Sequence, residues 1–287
     1  MAFPPPGELG NKQMISLDRA IKKTLAYSDF FDHPLSSEEI HFWLIFPDTV
    51  SLKRLSKNLD SIPASAASLE KKRQYLEFSK QKMSRAQKIA TILSVIPTIH
   101  LVAVTGSVAV GSAAERDDID LLIVTANHSL WLTRPFVLLT LSLFSTRRLP
   151  GQSYDSAAHT FCPNLWLEHR SLTVPKHKHN LYTAHEVLFV SPVFDRSHTH
   201  QHFLAQNSWV RKHLANAYSL SRKKGVDSPP TSPFTLLLIP FNTLFFIFQY
   251  LYMKPKITTE DVALDSAYFH TQNFDKKIKK HLDRVLG

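Results

Sequence analysis

The tightest constraint in this chain is a pair of short apolar runs separated by one polar break. Ile99-His100-Leu101-Val102-Ala103-Val104 follows Pro97, is rich in apolar and β-branched residues, and reads as a buried strand. It stops at Thr105-Gly106-Ser107, passes through a polar-to-acidic connector at 108–117, and resumes as Asp118-Ile119-Asp120-Leu121-Leu122-Ile123-Val124. Residues two apart in a strand project to the same face, so Asp118 and Asp120 present their carboxylates together while Ile119 points inward. Two like charges at the edge of an apolar layer repel unless a cation lies between them. Ligands that are oxygen only suit Mg²⁺, which is held by one or two carboxylates plus water and substrate phosphates. The spacing therefore predicts a metal-dependent site for a phosphorylated substrate.

Glycine usage supports the same place. The chain has seven glycines in 287 residues, about a third of the usual share. Gly7 and Gly10 lie in a Pro-rich leader, Gly151 follows Pro150, Gly225 sits in a Lys/Ser/Pro linker and Gly287 is last. Gly106 is the one at a strand-to-helix turn. There a Cβ would obstruct the approach of a triphosphate to backbone N–H groups, and the turn itself calls for positive φ. Ser107 adds a hydroxyl donor. Gly111-Ser112 repeats the dipeptide with no strand before it, so the first copy is the expected phosphate cradle.

The consecutive segments LVAVTGS, VAVGSAAERD and DIDLLIVT resemble the nucleotidyltransferase superfamily typified by DNA polymerase beta and the kanamycin nucleotidyltransferases. Its pattern is an apolar strand, Gly-Ser, about ten residues, and an acid-apolar-acid triplet opening a second strand. The resemblance covers residues 98–170. The wider layout is similar to bacterial nucleotidyltransferase-domain proteins of unassigned role, through LAYSDFFDHPLSSEEI, NLYTAHEV and FQYLYMKPK. It implies an α+β fold in which a small mixed-sheet core is flanked by an N-terminal winged-helix-like region and a C-terminal helical region. The implied activity is transfer of a nucleoside monophosphate from an NTP, ATP first, to an acceptor hydroxyl, with release of pyrophosphate. Asp118 and Asp120 would hold a two-ion Mg²⁺ site, and Gly106 and Ser107 the β- and γ-phosphates. A third carboxylate on a later strand is also implied, for which Glu168 is the candidate; Asn164 shares its face, and at the equivalent depth would leave the third acid missing. Superfamily members modify RNA ends, proteins and small molecules, so the acceptor stays open.

The remainder is read from pattern. Residues 1–14 form a disordered leader, and Ile15–Phe31, Ser37–Ile45 and Val50–Leu59 make a three-helix region over 15–68. Residues 69–97 form a basic helical connector, one helix or two, whose Lys71, Lys72, Arg73, Lys80, Lys82, Arg85 and Lys88 present a solvent face. The core spans 98–195, with a buried helix at Trp131–Phe144, a third strand at Phe161–Glu168 whose Pro163 suggests an edge or a bulge, and a helix at 181–190. Arg134 is the candidate charge partner for the triphosphate, with an ordinary surface arginine as the alternative. Asp117 is expected to face away from the acidic pair. Residues 196–287 are expected to be helical, including 199–220 and the apolar segment 233–253.

No charge occurs from Ser228 to Met253, but Pro240, Asn242, Thr243 and Gln249 dilute the run. A buried or interfacial helix is the first reading and a membrane span the second. His177 and His179 in KHKH and His198, His200 and His202 in HTHQH have spacing that separates their side chains, and no zinc set is completed. With one cysteine, Cys162, no internal disulfide is available, and cytoplasm is the expected location, with membrane association as the alternative. The net charge of +10 favours acidic partners. Together with the basic run at 71–88 it supports a second function class, a nucleotide- or nucleic-acid-binding regulator that keeps the fold without turnover.

Overall fold

A computed structural model describes residues 6–58, 66–144, 160–223, 233–269 and 274–287. Its centre is a six-stranded mixed sheet: β1 (Ile99–Val104), β2 (Ile119–Thr125), β3 (Phe161–Glu168), β4 (Ser191–Asp195), β5 (Asp261–Val262) and β6 (Ser266–Tyr268), in the order β4-β1-β2-β3-β6-β5. β2 and β3 run parallel and every other pair is antiparallel. The parallel register sets Asp120 opposite Cys162 and Thr125 opposite Glu168. Pro163 lacks an N–H for the ladder, and the register shifts beside it, between Leu121 and Leu122. Of the two readings for Pro163, the bulge is the one observed, because β3 is covered on both sides.

Alternation along β1 and β2 divides the core. Leu101, Ala103, Leu122 and Val124 face one layer, built from α7 (Leu181–Phe189), α8 (Thr199–Gln206), α9 (Ala215–Ser221), α11 (Phe274–Leu286) and the end of α1 (Pro6–Phe30). Val102, Val104, Ile119, Leu121 and Ile123 face the other, against α4 (Ala66–Leu93) and α6 (Leu130–Phe144), with α10 (Ile239–Met253) packed beyond α6. The N-terminal helices α1, α2 (Ser37–Phe42) and α3 (Leu52–Ser56) enclose their own small core around Leu17, Ile21, Ile40, Leu44 and Leu55. Ser36 and Glu39 close a capping box at α2, as the Ser-Ser-Glu-Glu sequence anticipates.

Four expectations change. The chain is already helical from Pro6, since proline is tolerated in the first turn of a helix; residues 1–5 of the expected leader lie outside the described residues. The connector is one helix, and Lys82 is buried within it rather than presented to solvent, while Lys71 and Lys72 pair with Asp32 and Glu39. The C-terminal region is not all helical: β5 and β6 extend the sheet from β3, and 199–220 divides into α8, a 3₁₀ turn at Ser208–Lys212 and α9. The apolar segment is a helix, but only 6% of the window within Thr235–Lys256 is buried.

Candidate active site

The site forms where β1 ends and β2 and β3 begin. Thr105 N–H donates to the Asp120 carbonyl at 3.0 Å, which draws the turn after β1 onto the second acid. Gly106 then takes φ +64°, and a Cβ there would stand 2.9 Å from Asp120 Oδ2. Glycine is required by the left-handed backbone and by the neighbouring carboxylate, before any ligand arrives. α5 (Gly106–Ala109) starts at this turn, and no side chain caps its N-terminus.

Asp118, Asp120 and Cys162 each offer a ligand atom within 4.8 Å of the others, and all three are partly exposed. Among the described residues this is the grouping able to hold a metal ion, and the HTHQH histidines join no such group. Asn164, two positions beyond Cys162, donates its amide to Asp120 Oδ1. Its own Oδ1 and the Thr105 hydroxyl are buried without a hydrogen-bond partner. The side chain that β3 sets against Asp120 is therefore the neutral Asn164 rather than Glu168.

The connector between Ser107 and Asp118 is held from two sides. Ser107 Oγ donates to Asp117 Oδ2 at 2.7 Å, and Ala114 N–H donates to the same oxygen at 3.0 Å. Asp117, in the turn before β2, commits this carboxylate oxygen to Ser107 and Ala114 and ties the Ser107 turn to the connector. Lys82 reaches in from α4 and donates to the carbonyls of Glu115 and Asp117 at 2.9 and 2.5 Å, while Ser79 Oγ accepts from Ala113 N–H at 3.0 Å. Burial lowers the Lys82 ammonium from its ordinary pKa, opposed by the nearby Asp117 charge. In the sequence Lys82 is one cation in a basic run, and nothing there separates it from its solvated neighbours.

α7, which lies against α5, supplies Tyr182 and Glu186, a pair one helical turn apart that hydrogen-bond through their side chains. Burial raises the Tyr182 phenol well above its usual range, reinforced by the negative charges of Glu186 and Asp120. Burial also raises the Glu186 carboxyl to about 7, and the Tyr182 hydrogen bond opposes part of that rise. Tyr27 stacks on His185 at 3.9 Å between ring centroids and leaves its hydroxyl buried without a partner. His185 is buried and desolvation drives its pKa down to about 3, so it is a neutral packing residue.

Glu168 and Arg134 are not brought to this place. Glu168 lies at the opposite end of β3, fully buried, and its carboxylate caps the start of α6. It accepts from the N–H groups of His128 at 2.8 Å, Ser129 at 3.1 Å and Leu130 at 3.4 Å, and from Arg170 Nε at 2.9 Å. A buried carboxylate at a helix N-terminus is stabilised by the orphan N–H groups and the helix dipole, which explains this acid without a metal. Arg134, one turn into α6, donates to Gln249 Oε1 at 2.9 Å and lies over the rings of Trp131 and Phe269. No family model, curated protein or solved structure matches the chain.

Three outcomes are expected. Glu168→Gln should lower unfolding free energy by about 3 kcal/mol in urea titration, because it leaves Arg170 and the α6 N-terminus without a charge partner. Gly106→Ala should destabilise by about 1–2 kcal/mol through the positive φ and the Asp120 contact, and a midpoint equal to wild type would contradict that geometry. Glu186 holds its proton in the folded state between the ordinary glutamate range and about 7. Its contribution to stability is therefore complete at low pH and is lost as pH rises to about 7, on the order of 3 kcal/mol in all. Glu186→Gln should accordingly melt higher than wild type at pH 8 and close to it at pH 4.5.

Proposed function

We propose that the protein is a metal-dependent nucleotidyltransferase that moves a nucleoside monophosphate from an NTP, ATP in the first instance, to an acceptor hydroxyl. The observation that carries this reading is the contact of the Gly106 turn with Asp120, which joins a backbone anion cradle to a carboxylate pair. The donor set fits a hard cation: two carboxylates side by side, with the unpartnered Asn164 Oδ1 and Thr105 Oγ1 buried close by. Asp118 and Asp120 would hold Mg²⁺; the Cys162 sulfur is too soft to join them. When bound, Mg²⁺ would neutralise charge on the phosphate oxygens.

The protein's own groups supply the rest. The first N–H groups of α5 receive the β- and γ-phosphates, and Ser107, released from Asp117, donates its hydroxyl to them. Lys82 keeps the connector fixed while this happens. The acceptor oxygen attacks the α-phosphorus, the bond to pyrophosphate breaks, and pyrophosphate leaves with those electrons. The acceptor proton passes to Glu186, whose affinity near neutrality suits a general base.

A second reading is favoured by one observation. Glu168 is committed to α6, and neutral Asn164 stands beside Asp120. This suits a chain that binds Mg²⁺ and nucleotide without turnover and uses its basic helix on nucleic acid. Labelled ATP, Mg²⁺ and cell extract separate the two. Transfer of label to an acceptor that drops on the order of 100-fold or more in Asp118→Asn and Asp120→Asn is expected for the enzyme. Retention of Mg²⁺-ATP with no transferred label, and RNA or DNA affinity that falls steeply with salt, would establish the regulator instead.

A further inference from the structure

Helices α6 and α10 pack side by side and leave a broad apolar surface that, among the described residues, nothing covers. Phe136, Leu139 and Leu143 project outward from α6, and Phe241, Phe248 and Leu251 from α10, all exposed. Polarity on this helix pair is reversed relative to a helix facing water. Asn242 and Gln249 of α10 point inward: Asn242 Oδ1 accepts from Trp131 N–H at 2.8 Å and Leu132 N–H at 3.2 Å, and Gln249 Nε2 donates to the Trp131 carbonyl at 2.7 Å. Arg134, the charged residue of α6, is turned onto Gln249 and two aromatic rings. The exposed hydroxyls of Thr140 and Ser142 donate to carbonyls of their own helix, both at 2.8 Å. Exposed apolar patches of this extent mark an interaction surface.

Charge indicates the occupant. Neither 130–144 nor 233–256 contains an acidic residue, and α10 ends on the exposed Lys254 and Lys256, the latter 4.4 Å above the Tyr252 ring. An apolar face edged by lysine and tyrosine matches the boundary between acyl chains and anionic headgroups. The segment Thr235–Lys256 is long and apolar enough to cross a bilayer. Crossing would, however, pull Asn242 and Gln249 away from the backbone of α6, leaving those N–H and C=O groups unsatisfied in hydrocarbon.

We propose that the α6–α10 face docks on a membrane surface bearing anionic lipid, with both helices lying in the interface and neither spanning it. The proposal is independent of the chemistry at Asp118 and Asp120.

Sedimentation of the full chain with vesicles tests it, using phosphatidylcholine alone and phosphatidylcholine mixed with phosphatidylglycerol. Binding to the mixed vesicles is expected, with a weaker fraction on phosphatidylcholine. Phe248→Glu with Leu251→Glu should weaken it at least tenfold with an unchanged circular dichroism spectrum. Lys254→Glu with Lys256→Glu, which leaves the apolar face intact, should abolish the preference for the anionic mixture. Wild-type protein that stays in the supernatant with both vesicles overturns the proposal. So does a stable dimer in light scattering that ignores vesicles and that Phe248→Glu splits, which would assign the face to a second copy. Protection of residues 235–256 from protease on both sides of the vesicle would show a span and also overturn it.

Discussion

The structure depends on how the first turn of α6 is satisfied. Its N–H groups from His128 to Leu132 meet protein acceptors, Glu168 from the sheet and Asn242 from α10. His128 adopts φ 58° at the approach, a conformation with a cost for a non-glycine residue, which the Glu168 contact offsets. A carboxylate with no solvent exposure is unfavourable alone; here hydrogen bonds to backbone and Arg170 stabilise it. The same set of bonds fixes three elements at once: β3 through Glu168, α6 through its own backbone, and α10 through Asn242.

This arrangement divides β2 and β3 into two ends with different duties. At one end Asp120 lies opposite Cys162, partly open, with the Gly106 turn pressed on it. At the other, Thr125 lies opposite Glu168, both fully buried. The two acids share a fold layer but not an environment. Asp120 keeps access to solvent and to a neighbouring carboxylate, which is what metal binding needs. Glu168 has its oxygens taken by donors, which is what a helix anchor needs.

Strands β1 and β3 are legible in the sequence residue for residue, and β2 to within one, because runs of apolar and β-branched residues bounded by Gly, Asp and Pro leave little choice. Asp118, Asp120 and Gly106 are legible for the same reason, since their spacing is local. Glu168 is not, because a carboxylate at a strand end looks the same whether it ligates a metal or caps a helix. What decides is the parallel register with β2, a long-range fact. Lys82 is hidden in a basic run, and its role appears only when α4 is laid against the 113–117 connector. β5 and β6 are two and three residues long, too short for any period to register, and exist because β3 offers them an open edge. Composition likewise marks 233–253 as apolar but does not say which way its few polar groups turn.

That direction links the two surfaces of the molecule. Asp118 and Asp120 share the parity of Leu122 and Val124, so they belong to the sheet face covered by α7, whereas α6 and α10 build on the other face. A chain seated on a bilayer through α6 and α10 would therefore hold Asp118 and Asp120 on the far side of the sheet, toward water. A nucleotide would reach them from bulk solvent without competing with lipid. The acceptor would have to arrive from the same side, which favours a soluble molecule or a polymer over a lipid headgroup in the membrane that holds the protein. Membrane docking would then concentrate the protein at a surface while leaving its chemistry directed away from that surface.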